Sequence, residues 1–197
     1  MLKKILQPYD VILASASPRR TELMKEFGVQ FSVHPKHIDE SFDPELPPQK
    51  VAEYLSEKKA RAFSGSELHT NTLIITADTI VTIDDIILGK PKNAEEAKSI
   101  LQQLSGRRHE VVTGVTIRTF NKLKTFSVVT IVFFKELSDA EIDYYIENFQ
   151  PFDKAGAYGI QEWIGHAAIE KIEGSYFNVM GLPTHRLYEE LMSFVKE

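Results

Sequence analysis

The chain has no cysteine. That removes disulfides, thiolate metal ligands and a thiol nucleophile, and with them the disulfide-stapled secreted folds. Repeats, low-complexity tracts and flexible linkers are absent as well. No basic N-terminal stretch leads into an apolar run long enough for a signal peptide, and no run is long enough for a membrane helix. A cytoplasmic protein with no membrane partner is therefore expected. Positive charge is also scarce: 23 Lys and Arg against 28 Asp and Glu leave a net charge of -5. Broad attraction to nucleic acid is not expected. Any polyanion has to be met by a local basic site or through a bound metal. What is present is ordinary for a packed protein: 197 residues, 43% hydrophobic, enough for one large domain or for one domain with two lobes.

A local basic site stands near the start. Val11-Ile12-Leu13-Ala14 reads as a buried strand, followed by Ser15-Ala16-Ser17-Pro18-Arg19-Arg20 and a helical pattern. Ser17 suits the N-cap and Pro18 the first helical position. Free amides at a helix start attract anions. Two guanidinium groups beside them add forked donors that match phosphate oxygens. The turn has the parts of a phosphate cradle, and equally those of a surface helix start with two solvated arginines.

The helix after Pro18 is expected to run to about Phe27 and to stop at Gly28. A short strand is expected over Val29 to His34. Residues 35 to 48 hold four prolines with Asp39, Glu40 and Asp43, which predicts a loop whose carboxylates either bind a cation or are solvated. A helix from Gln49 to Phe63 follows, with Val51, Leu55 and Ala62 on one face. Its periodicity puts Lys58 near the middle of that stripe and Lys59 at its edge. Leu73 to Ala77 is a compact apolar strand ending at Asp78-Thr79, and Val81 to Leu88 forms a hairpin around Asp84-Asp85. A carboxylate at the end of an inner strand needs a cation, a donor or open space. Asn93 with Glu96, and Ser138 with Glu141, spell capping boxes for two further helices. Two long strands, His109 to Phe120 and Lys124 to Phe134, are joined by a turn. Asp153 to Gln161 is irregular and glycine-spaced, residues 167 to 172 suggest a strand, and a last helix carries Leu187, Leu191 and Val195. This mixture of strands and helices, with a central hairpin, favours an α/β fold with a mixed sheet in a single domain over 1–197.

Taken in order, Ala14-Ser15-Ala16-Ser17-Pro18-Arg19-Arg20, Asp39-Glu40, Lys59-Ala60-Arg61-Ala62, Ala77-Asp78-Thr79, Gly89-Lys90-Pro91, Leu104-Ser105-Gly106, Thr113-Gly114-Val115, Lys154 to Gln161, Gly174-Ser175-Tyr176 and Gly181-Leu182-Pro183 resemble the Maf family of nucleoside triphosphate pyrophosphatases across nearly the whole chain. The resemblance implies an elongated mixed sheet with two lobes and a central cleft, similar to the inosine triphosphate pyrophosphatases. It implies hydrolysis of a nucleoside triphosphate to the monophosphate and pyrophosphate, with a divalent cation, Mg2+ or Mn2+, by a homodimer. By position, Ser15, Arg19 and Arg20 fall in the phosphate-binding turn, and Glu40 on a required acidic residue. Lys59 and Lys90 fall on two functional lysines, and Asp78 on the catalytic proton acceptor. Arg19, Thr79 and Gln161 fall on the positions tied to substrate choice, and all three agree with the subfamily that prefers dTTP and UTP. Glu162-Trp163-Ile164-Gly165-His166 departs from a more glycine-rich run.

The chemistry fits these residue types. Asp78 can take a proton from water, with metal contact as well. Glu40 is a hard oxygen ligand for Mg2+ or Mn2+. Arginine and lysine stabilise the departing pyrophosphate. Gln161 offers both a donor and an acceptor, as a pyrimidine edge requires. Trp163 and His166 are expected in packing or dimer contact. The rival reading is a nucleotide-binding regulator of septum formation without turnover.

Overall fold

The apolar and alternating segments pair into one mixed sheet. The computed structural model describes residues Met1–Lys196. Its strands are β1 (Asp10–Leu13), β2 (Ser32–Val33), β3 (Thr72–Ile83), β4 (Ile86–Leu88), β5 (Arg108–Arg118), β6 (Leu123–Phe134) and β7 (Ile169–Glu173). They are ordered β2-β1-β3-β5-β6-β7, with β4 paired to β3 off this path. β1 runs parallel to β2 and β3, whereas β4 is antiparallel to β3 and β7 to β6. The helices among the described residues are α1 (Leu2–Ile5), α2 (Pro18–Lys25), α3 (Pro48–Arg61), α4 (Ala94–Leu104), α5 (Asp139–Phe149), α6 (Trp163–Ala167), α7 (Tyr176–Met180) and α8 (Thr184–Phe194). This is the expected α/β class with a mixed sheet. No helix among the described residues is long and apolar enough to cross a membrane.

The chain forms two compact units. The first comprises Met1–Asp78, Thr113–Val128 and the chain from Gly181; the second comprises Thr79–Val112 and Val129–Met180. In the first unit, α3 is seated by its small and hydroxylated face. Val51, Ala52, Leu55, Ser56 and Ala60 are all buried. Gly114 of β5 makes the close approach possible, since a Cβ there would lie 2.2 Å from the Ala52 carbonyl oxygen. A set of hydroxyls then fixes the helix against three strands. Thr76 Oγ1 donates to the Ser56 carbonyl at 2.6 Å, and Ser56 Oγ meets Thr116 Oγ1 at 3.0 Å. Thr125 and Ser127 of β6 donate to Glu57 and Glu53. At the C-terminal end of α3, Arg118 Nη1 donates to the carbonyl of Ala60 at 2.6 Å, a favoured place for a cation.

The second unit packs α4, α5 and α6 around a core that includes Leu101, Val132, Phe134, Tyr145 and Ile164. The Ser138–Glu141 box forms in full. The Asn93 box forms by half: Asn93 accepts from Glu96 N, but the Glu96 carboxylate takes the amide of Lys92 rather than that of Asn93.

Other expectations are corrected. The strand expected over Val29 to His34 shrinks to Ser32–Val33. Ala62 is exposed, so the inward face of α3 is centred differently. Ser17 holds the N-cap position of α2 without a side-chain cap bond; its carbonyl accepts from Thr21 N instead. β3 does not end at Asp78-Thr79. It continues to Ile83, because Ile80, Val81 and Ile83 are again buried, and Asp78-Thr79 is the one partly exposed step in the strand. The reversal comes at Asp84-Asp85, with φ of 50° and 63°, the left-handed pair that a two-residue hairpin turn needs.

Candidate active site

The first unit gathers the candidate phosphate-binding turn, both candidate carboxylates and one candidate lysine. Between β1 and α2, Ser15 is buried, and its Oγ accepts from Ser17 N at 3.2 Å and from Arg20 Nη1 at 3.3 Å. Arg20 Nε donates to the carbonyl of Gly181 at 2.7 Å. Two donors of the guanidinium are thus held on fixed partners, and the group is oriented before any ligand arrives. Burial lowers the Arg20 pKa and the adjacent Arg19 adds to that; Asp78 and Glu40 act in the opposite sense. Arginine remains charged through such a shift. The turn is therefore cationic and rigid, at the N-terminus of an eight-residue helix.

Lys59 connects the carboxylates. Its Nζ lies 2.5 Å from Asp78 Oδ1 and 2.8 Å from Glu40 Oε1. The contact follows from register. Thr76 and Asp78 share a face of β3, about 6.6 Å apart along the strand. Ser56 and Lys59 are one helical step apart, about 4.5 Å along α3. Once Thr76 bonds to Ser56, the next residue on each element is set to meet its counterpart. The long lysine stem covers the difference in rise.

Lys58 takes a different partner. It donates to the Ser41 carbonyl at 3.0 Å and lies 3.8 Å from Asp39 Oδ2. Asp39 in turn accepts from the Ser41 hydroxyl and from Ser41 N, local turn bonds that lower its pKa, the hydroxyl most. The two lysines therefore hold alternate residues of the 39–41 segment. Of the two, Lys59 is the one that reaches Asp78. The inward face differs from the periodicity of the large apolar residues because Ala52 and Ser56 are buried and Ala62 is exposed.

The carboxylate pair bears on the metal that the family resemblance implies. Among the described residues no cluster of three or more His, Asp or Glu side chains converges as a metal site. Two carboxylates do converge, on one ammonium. Mg2+ is commonly held by one or two carboxylates together with substrate phosphates and water. Glu40 and Asp78 fit that kind of site.

Thr79, Lys90 and Gln161 lie in the second unit. Lys90 is exposed, in the segment after β4. The preceding carbonyl, of Gly89, accepts from Gly156 N at 3.2 Å, which ties the Lys90 segment to the glycine-spaced stretch. Gln161 is partly exposed, and its amide oxygen is buried with no donor among the described residues. Such a group costs about 1–3 kcal/mol. Around it stands a network that sequence reading did not find. Tyr145 Oη donates to Glu162 Oε2 and accepts from Gly159 N at 3.0 Å. The Lys154 ammonium lies 3.1 Å from Glu162 Oε1 and 2.7 Å from Asp153 Oδ1. Burial, then Glu162, raises the Tyr145 pKa. The available signal was Lys154 itself, a lysine inside a glycine and alanine stretch. Trp163 packs edge-on to Tyr144 at 5.0 Å, a packing role as expected.

An arginine-bearing turn and a cation-bridged pair of carboxylates stand in one unit of a mixed α/β sheet, the residue types that phosphate chemistry uses. The chain belongs to the Maf family: the model for Maf-like proteins matches residues 10–194. It is 49% identical over 195 residues to the dTTP/UTP pyrophosphatase of Flavobacterium johnsoniae, covering 99% of this chain and 100% of that protein. It is 50% identical over 191 residues to the dTTP/UTP pyrophosphatase of Porphyromonas gingivalis, covering 96% of each. The dTTP/UTP pyrophosphatase of Cytophaga hutchinsonii is 50% identical over 182 residues, which is 92% of this chain and 83% of that protein.

Proposed function

We propose that this protein hydrolyses dTTP and UTP to the nucleoside monophosphate and pyrophosphate. The observation that carries the reading is the Lys59 ammonium bound to both Glu40 and Asp78, in the unit that also holds the Arg20 turn. The names and full-length coverage of the relatives point to the same reaction and substrates.

In this reaction a water oxygen attacks phosphorus at the α–β junction, its proton passes to a base, and the bond to the pyrophosphate oxygen breaks. Asp78 is the proton acceptor. Arg19, Arg20, Lys59 and Lys90 bind the triphosphate and stabilise charge on the departing pyrophosphate, and Ser15 holds Arg20 in place for it. Glu40 and Asp78 hold a divalent cation, Mg2+ or Mn2+. When bound, that ion supplies charge neutralisation at the phosphate oxygens.

Arg19, Thr79 and Gln161 select the nucleotide. The unpaired amide oxygen of Gln161 is an acceptor that the N3–H of uracil or thymine satisfies, while the amide N–H donates to a ring carbonyl. The last torsion of a glutamine is soft, so the group can turn to meet a base.

Both units serve one Maf-like domain, a reading supported by the family match across both. A cytoplasmic homodimer is the assembly that the family resemblance implies, and sedimentation of the purified chain checks the dimer. The reaction is tested with a panel of nucleoside triphosphates in Mg2+ or Mn2+, reading pyrophosphate release. The expected result is release from dTTP and UTP well above that from purine triphosphates. Orthophosphate as the product overturns the reaction class, and binding without turnover returns the regulatory reading.

A further inference from the structure

We infer that Glu162 is a positioning residue for nucleobase recognition, acting on Gln161 through a clamp built from Tyr145, Lys154 and Gly159. This rests on the reading that Gln161 contacts the base.

Glu162 directly follows Gln161 in the chain. Its carboxylate has a partner on each oxygen: Tyr145 on Oε2 and Lys154 on Oε1. Both partners are buried, Tyr145 fully, so neither is free to follow a moving carboxylate. Tyr145 also holds the backbone N–H of Gly159. The hydroxyl therefore fixes the chain on both sides of Gln161, two residues before it and one after.

Gly159 supplies the floor. A Cβ at this position would lie 2.9 Å from Gln161 Nε2 and 2.9 Å from Glu162 Cδ. Both side chains fold over the bare Cα, which brings the Gln161 amide alongside the anchored carboxylate. A side-chain stem held this way loses little rotamer freedom when a base binds, while the terminal amide torsion stays free to turn. The clamp makes its bonds within the second unit, whereas Ser15, Arg20, Glu40, Lys59 and Asp78 are bonded to one another and to Gly181 within the first. Its effect should therefore fall on the base and not on the phosphates.

The test compares Glu162→Ala, Glu162→Gln and Gln161→Ala in the full chain with Mg2+. The readouts are KM and kcat for UTP and inhibition by pyrophosphate, a ligand with no base. Glu162→Ala is expected to raise KM for UTP about tenfold, with kcat within about threefold and pyrophosphate inhibition within about twofold. Glu162→Gln, which keeps one acceptor for two donors, should fall between wild type and Ala. Should Glu162→Ala fail to fold, Tyr145→Phe keeps the ring and removes the hydroxyl, and is expected to raise KM for UTP roughly threefold to tenfold. A KM that does not change, or pyrophosphate inhibition weakened as much as UTP binding, overturns the positioning role. If Gln161→Ala raises KM and the Glu162 and Tyr145 variants do not, the clamp is wrong and base reading by Gln161 stands. If Gln161→Ala itself leaves KM and the substrate profile unchanged, base reading fails and the clamp with it.

Discussion

Lys59 Nζ sits 2.5 Å from Asp78 Oδ1, and the same ammonium lies 2.8 Å from Glu40 Oε1. One side chain on α3 thus joins a carboxylate in the middle of β3 to another in the long loop before α3. Its neighbour Lys58 holds the adjacent loop residues and does not reach Asp78. The two lysines are one residue apart and chemically identical, so they make a controlled comparison. Lys59→Met should lower kcat/KM for UTP by about a hundredfold, the usual effect of removing one charged donor from such a site. Lys58→Met should lower it by less than about threefold, because what it loses is a contact at the surface. Steady-state pyrophosphate release measures both.

Asp78→Asn should lower kcat by roughly 10²–10⁴-fold, the range for loss of a general base. The asparagine oxygen still accepts from Lys59, so thermal unfolding should change little. A variant that keeps wild-type turnover removes Asp78 from the role of proton acceptor.

Gly114→Ala should destabilise the protein by about 3 kcal/mol or more, because the new methyl group meets backbone and not a yielding side chain. For a chain of this size that is a fall in Tm of roughly 6 °C or more. Activity should fall with it, at least tenfold, since α3 has to move off β5 and carries Lys59 with it. Melting curves and kinetics on the same preparation separate the two effects.

His109 gives a pH dependence. It is buried, its Nε2 pairs with Tyr158 Oη at 2.7 Å, and burial lowers its pKa from 6.5 to about 3. The unfolded chain therefore binds a proton that the folded chain refuses between those values. This contribution to stability is full above pH 6.5 and is lost as pH falls toward 3, by up to about 1.4 kcal/mol per pH unit. His109→Gln keeps a partner for Tyr158 and does not titrate. Urea midpoints measured from pH 7.5 to pH 5 should fall less steeply in the variant than in the wild type. Parallel slopes exclude His109 as a source.

Much of the fold follows from local rules. The Ser138–Glu141 box, the helix opened by Asn93 and the two long strands needed only capping chemistry and alternation. Where the fold departs from local rules, burial is decided by tertiary partners. Ser56 is a polar residue, yet it is fully buried because its hydroxyl donates to the Glu53 carbonyl and meets the Thr116 hydroxyl. That one hydroxyl shifts the inward face of α3 and so decides which lysine meets Asp78. In the sequence, Asp78 marks an end to β3 because a charged residue follows five apolar and threonine positions. In the fold the strand passes through, and the charge is met by a helix that the local sequence does not mention. The Tyr145–Glu162–Lys154 set was invisible for the same reason: its members gain meaning only when 17 residues of chain fold back on themselves.

The bond from Arg20 to the Gly181 carbonyl joins positions 161 residues apart. Closing so long a loop costs chain entropy before the contact repays it. The aim of the Arg20 guanidinium is therefore a property of the tertiary fold and not of the helix that carries it. A fragment holding only β1 and α2 keeps both arginines and lacks the acceptor that orients one of them.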